Sequence, residues 1–166
     1  MKLTASLEQA AAVVILLATQ DLKSPLASDE ISRILEVSPS YLKKLIRKLV
    51  VSGIVNSVPG TKGGITLAKS PEQLTVLDIL EAIEGPIDIY QDSGLIQHAF
   101  KDGRYAEQGI VAIKSMFEGA NRLIIEYFSS ITAADLLNKA TNHAALPAID
   151  WNTMTLAQFL KKEMNI

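Results

Sequence analysis

Between Ser38 and Leu49 the chain reads Ser-Pro-Ser-Tyr-Leu-Lys-Lys-Leu-Ile-Arg-Lys-Leu, a helix with its start marked and its two faces already sorted. Ser38 is of a type that caps helices, and Pro39 suits the first helical position, where a missing N–H costs nothing. Leu42, Leu45, Ile46 and Leu49 recur at i, i+3, i+4 and i+7, so a helix over 39–52 carries one apolar stripe. Ser40, Lys44 and Arg47 project from the opposite side, with Tyr41, Lys43 and Lys48 flanking. One face suits a core and the other an anion.

A surface helix whose lysines merely keep it soluble has the same two faces. The surroundings favour a binding role. From Val37 to Ser70 there are six basic residues (Lys43, Lys44, Arg47, Lys48, Lys62, Lys69) and no Asp or Glu, although the whole chain carries formal charge -2. Residues 1–70 hold nine Lys or Arg against five Asp or Glu, and residues 71–166 hold seven against thirteen. A basic unit on an acidic body implies a polyanion partner for one end only.

At 166 residues and 48% hydrophobic content, the chain can bury a core without staples. It has no cysteine, which excludes disulfides, thiolate zinc sites and cysteine-held clusters. The longest apolar run, Ala10 to Ala18, is too short to span a bilayer, and no basic leader precedes it. The expectation is a cytoplasmic protein with no membrane association.

Leu7–Gln20 reads as a largely buried first helix, broken by Asp21–Pro25. Ser28 reads as the cap of a second helix, Asp29–Glu36, with Ile31, Ile34 and Leu35 on its apolar side; Ser28 is also placed to meet a phosphate. Val37-Ser38 connects tightly into the basic helix. Two short helices joined this way resemble a helix-turn-helix. Gly53 ends the basic helix, and Ile54–Val58 and Ile65–Leu67 are short β-prone runs around Pro59-Gly-Thr-Lys-Gly-Gly64. A helix-turn-helix followed by a hairpin is a winged helix, with Lys62 at the wing tip over residues 54–67. A phosphate-binding nucleotide loop would need Gly-Lys-Ser/Thr and a helix behind it, and neither follows. Leu74–Glu84 forms the next helix, opened by Thr75 and Asp78, ended by Gly85-Pro86, and packed through Leu77, Leu80 and Ile83.

The Met-Lys-Leu-Thr start, the Ser38-Pro-Ser-Tyr-Leu42 helix start, the Gly60, Gly63, Gly64 wing followed by Leu67-Ala68, and Leu80-Glu-Ala-Ile-Glu-Gly-Pro86 resemble the Rrf-two-type bacterial transcription regulators. That family includes iron-sulfur cluster repressors and the cysteine-metabolism and nitric-oxide-responsive repressors. The resemblance covers residues 1 to about 90 well and the later helices more loosely. It implies a mainly α fold with a small β-hairpin wing, dimerised through a long C-terminal helix, with the 39–52 helix in the major groove of double-stranded DNA and the wing at the minor groove. It also implies a repressor role and contacts from Ser38, Ser40, Tyr41 and Lys43 to bases and phosphates. Lys44, Arg47 and Lys48 are better suited to phosphates, which position without specifying. Tyr41 is equally suited to packing.

The departures are specific. Pro59 stands where family wings carry an Arg, and Ile65 where an aromatic is common; Glu8 and Gln9 replace basic and aromatic residues of the first helix. Relatives that bind a cluster place three cysteines between positions 88 and 108, and this chain has none. Asp92, His98 and Glu107 are the only ligand-type side chains with any pattern there, and their spacing matches no metal motif. Neither a cofactor nor a metal is expected. Asp92-Ser-Gly94 and Lys101-Asp-Gly103 read as turns.

Gln108–Ile131 is helical, with more apolar surface than one small winged helix covers: Ile113, Met116, Phe117, Ala120, Leu123, Ile124, Tyr127 and Phe128 form an expected homodimer interface. The organisation is therefore a winged helix over 1–87, a loop region over 88–107, a dimerisation helix and short following helix over 108–139, and an extension over 140–166. Thr132 and Thr155 open short helices, and Trp151 anchors the tail. No catalytic constellation is present, with two histidines, no cysteine and no nucleophile elbow. A DNA-binding regulator accounts for the charge asymmetry; a winged helix used only for protein contacts is the alternative, and it predicts apolar residues at positions 40, 44 and 47. An inducing signal, whether a small molecule between winged helix and dimer helix or a protein partner, is open.

Overall fold

A computed structural model describes residues 3–21, 24–100, 105–142 and 148–164. The first helix, α1 (Ala5–Ala18), buries Ala10, Val13, Val14, Leu16 and Leu17, the spacing of a helix face sunk in a core. It starts and ends two residues earlier than the expected Leu7–Gln20. Its start is held by Glu84, whose carboxylate accepts from the Thr4 N–H at 2.8 Å and the Thr4 hydroxyl at 2.6 Å.

Helix α2 (Ser28–Ile34) corrects the expected Ser28 cap. Ser28 is its first helical residue, Ala27 occupies the capping position, and no side chain of the helix's own start supplies the cap. The chain turns one residue early because Leu26 is pinned to the wing, exchanging two backbone hydrogen bonds with Ile65 at 3.0 and 2.8 Å. The turn to the next helix passes through Glu36, at φ 52, a left-handed conformation seldom taken by a residue with a side chain.

Helix α3 (Pro39–Val51) follows, with Leu42, Leu45, Ile46 and Leu49 buried as the stripe predicts. Gly53 (φ 66) ends it: its N–H reaches Val50 O and the Ile54 N–H reaches Leu49 O, the paired bonds of a Schellman stop. Strands β1 (Val55–Val58) and β2 (Gly64–Leu67) pair antiparallel, Val55 opposite Leu67 and Val58 opposite Gly64. Helix α4 (Val76–Glu84) opens with a complete capping box between Thr75 and Asp78. Its buried residues are Ile79, Leu80 and Ile83. Leu77, expected among them, is half-buried, because the helix turns Ile79 toward the common core beside Leu42, Leu49, Ile54 and Ile65.

The 88–107 region is not wholly a loop, since it holds a short helix, α5 (Leu95–Ala99), begun by Gly94 in the left-handed region. The turn expected at 101–103 lies outside the described residues. Helix α6 (Ala106–Ser129) runs 24 residues and buries only Ala106. Helix α7 (Ala133–Ala140) has its own capping box, Thr132 with Asp135, and returns to the winged helix: the Ala133 N–H donates to Leu74 O at 2.8 Å and the Val76 N–H to Ile131 O at 2.9 Å. Helix α8 (Leu156–Met164) begins with reciprocal hydrogen bonds between Thr155 and Gln158. Among the described residues no helix is long and apolar enough to cross a membrane.

Candidate nucleic-acid interface

The start of α3 is fixed by its own sequence. The Ser38 hydroxyl accepts from the Tyr41 N–H at 3.3 Å, with Pro39 behind it. Because the apolar stripe is buried, Ser40, Lys43, Lys44 and Arg47 stand exposed along one side. Lys43, Lys44 and Arg47 have no ion-pair partner among the described residues. By contrast Arg33, on α2, is engaged by Glu30 at 2.7 Å. The uncompensated cations of this region therefore gather on the outer face of α3.

Two flanking residues are partly committed elsewhere. The Lys48 ammonium donates to the Ile83 carbonyl at 2.8 Å, in the last turn of α4, where unpaired carbonyls favour a cation. Its charge also adds to the hydrogen bonds from Thr4 that hold the Glu84 carboxyl below the usual carboxylate range. The Tyr41 hydroxyl bonds Gln9 Oε1 at 2.5 Å and Ser6 Oγ at 2.8 Å, and the ring is half-buried. Gln9 thus has a task in tying α1 to α3. Neither partner of these two side chains was evident in the sequence, since each lies more than thirty residues away.

At the wing, Gly60 has φ 110 and its carbonyl accepts from the Gly63 N–H at 2.9 Å. A Cβ on Gly64 would lie 2.4 Å from Leu26 O, so only glycine allows the wing to lie against the chain entering α2. Lys62 is exposed at the tip, and Ser28 is exposed in the first turn of α2. The winged-helix unit thus carries Ser28, Ser38, Ser40, Lys43, Lys44, Arg47 and Lys62 at its surface.

Asp92, His98 and Glu107 do not assemble, and among the described residues no group of three His, Cys, Asp or Glu could hold a metal. Asp92 serves its own turn: its carboxylate accepts from the Gly94 N–H at 2.9 Å and pairs with Lys114 at 3.2 Å, which together hold its carboxyl below the usual range. Between this segment and α6 lies a polar cavity of about 280 Å³ under the stacked Tyr90 and Phe117 rings. The larger cavity, about 570 Å³, is not between winged helix and long helix. It opens inside the winged helix, between the end of α1 and β2.

The sequence profile of the Rrf2 family, described as an iron-dependent transcriptional regulator, matches residues 3–139. The chain belongs to the Rrf2 family. Rrf2-type relatives in sequence are HTH-type transcriptional regulators by name: YwgB of Bacillus subtilis, 46% identical over 61% of this chain and 65% of its own length, and YffB of Lactococcus lactis, 31% identical over 90% and 96%. Among solved structures, IscR of T. potens matches at TM-score 0.60 and 27% identity, covering 87% of this chain and 93% of that one. CymR, the global cysteine regulator of B. subtilis, matches at TM-score 0.61 and 24% identity, covering 84% and 98%, a likeness of fold. This Rrf2 chain is therefore a winged-helix protein whose relatives are transcriptional regulators rather than enzymes. The chain itself has no cysteine.

Proposed function

We propose that this protein is a sequence-specific, homodimeric DNA-binding repressor that occupies promoter DNA. The observation that carries the reading is the exposed face of α3: polar and basic at Ser40, Lys43, Lys44 and Arg47, without ion-pair partners among the described residues, in a chain of net charge -2. In the reading, α3 enters the major groove, where Ser40 and Lys43 face base edges and Lys44 and Arg47 face phosphates. Ser28 and Ser38 meet backbone phosphates, Lys62 approaches the minor groove, and Tyr41 and Lys48 support α3 from its flanks while adding contacts at the edge.

A dimer is supported by α6, where Met116, Leu123 and Tyr127 are 62%, 68% and 63% exposed and Ile113, Phe117, Ala120, Ile124 and Phe128 are half-buried beside them. A contiguous apolar face on a long helix favours a symmetric partner. Two recognition helices set about 34 Å apart then address both halves of a near-palindromic operator. Such a protein works in the cytoplasm, where the chromosome is.

The test is fluorescence-anisotropy titration against the promoter fragment upstream of its own gene and a shuffled duplex, each at several salt concentrations. Tight, selective binding that weakens steeply with salt is expected. Absence of binding to either duplex at low salt overturns the reading in favour of a protein-interaction module.

A further inference from the structure

The stretch Ala148–Thr153 lies beyond residues 3–139, which the family profile matches, and it is fastened to the end of α1 and the start of α2. Ile149 is 1% exposed and bridges Gln20 in parallel, its N–H donating to Thr19 O at 2.8 Å and its carbonyl accepting from the Asp21 N–H at 2.9 Å. The Trp151 indole donates to Thr19 Oγ1 at 3.0 Å, and its backbone N–H to Gln20 Oε1 at 3.1 Å. Thr19 and Gln20 are buried polar residues, and buried polar groups require partners. Theirs come in large part from 130 residues further on.

Asn152 reaches furthest. Its Oδ1 accepts from the Ala27 N–H at 2.9 Å, and its Nδ2 donates to Pro25 O at 3.1 Å and to Asp150 Oδ1 at 3.1 Å. A carboxylate only accepts, so Asp150 fixes which way the amide faces.

We infer that Asn152 is a positioning residue for DNA binding: it supplies from the C-terminal extension the fastening that the start of α2 lacks. Ala27 has the backbone of a helix cap (φ -65, ψ 137) but no side-chain oxygen. The helix it opens is seven residues long and ends at the left-handed Glu36. So short a helix is not stable alone. Yet Ile31 of α2 is buried in the same cluster as Leu42 and Leu45 of α3, so the set of α3 on DNA depends on α2 being ordered.

The inference rests on the proposed DNA binding for one of its two readouts; the other is independent of it. In the 166-residue chain, Asn152→Ala is expected to speed amide hydrogen exchange over residues 28–34 about fivefold, the worth of one hydrogen bond lost at the helix start, with α6 unchanged. Affinity for the promoter fragment falls by a similar factor, with the salt slope unaltered because no phosphate contact is removed. Adding Ala27→Ser, whose hydroxyl caps the free N–H of Asp29 or Glu30 on the existing backbone, compensates for the lost bond and restores both. Unchanged exchange in α2, faster exchange throughout the chain, or failure of Ala27→Ser to rescue overturns the inference. So does accelerated exchange with undiminished affinity. Should the wild-type chain bind no DNA, the proposed function fails, and the exchange experiment still decides whether Asn152 orders α2.

Discussion

Lys44 and Lys48 stand one turn apart on α3 and are held differently. Lys48 donates to the Ile83 carbonyl, while Lys44 faces solvent with Arg47 beside it. Lys44→Ala with Arg47→Ala is accordingly expected to weaken binding to all duplexes and to reduce the salt slope by about two, read by anisotropy at several salt concentrations. An undiminished slope would remove this face from the phosphates. Tyr41→Phe should instead cost about 0.5–1.5 kcal/mol of folding stability in urea titration, since it breaks the bonds to Gln9 and Ser6. The Ser38 cap and the Gly53 stop were legible because each acts within a few residues. The tasks of Lys48, Tyr41 and Gln9 were not, because their partners sit on other helices.

At the level of elements, amphipathic spacing and glycine placement were enough to read α3, the hairpin and the capped α4. Helix α2 shows the limit of that reading: the best capping residue in its neighbourhood is Ser28, but the wing fixes Leu26 and so moves the capping position to Ala27. The same packing makes Gly64 strict. Gly64→Ala would drive a Cβ into the Leu26 carbonyl, and should destabilise the fold by about 1–3 kcal/mol in thermal or urea unfolding. A neutral result would mean that the wing swings away freely. The short α5 escaped notice because five residues carry too little periodicity to separate from a turn.

For the molecule as a whole, the tail bridged at Ile149 and the exposed face of α6 point in different directions, one toward the chain's own beginning and one outward. Leu123→Glu with Tyr127→Glu should turn a dimer into a monomer in sedimentation velocity while leaving the winged helix folded by circular dichroism; a dimer that persists would place the interface elsewhere. The tail carries its own reporter, since Trp151 is the only tryptophan. Burial pushes the Asp150 carboxyl up, but hydrogen bonds from Thr153, Gln20 and Asn152 outweigh that and leave it below the usual range. A depressed carboxyl contributes stability above its unfolded pKa and loses it as pH falls through the folded value. Tryptophan emission should thus be constant from neutrality down to about pH 4 and shift below it, and Asp150→Asn should remove the pH dependence of that step.

The fastening of Asn152 to Ala27 joins positions 125 residues apart. A ribosome that has released the first half of the chain has delivered both α2 and α3, yet not the amide that secures the first of them. Loop closure over such a span is slow compared with the folding of local turns. The newly made chain therefore passes through an interval in which α2 and α3 are present but the amide that holds the Ala27 N–H is not yet in place.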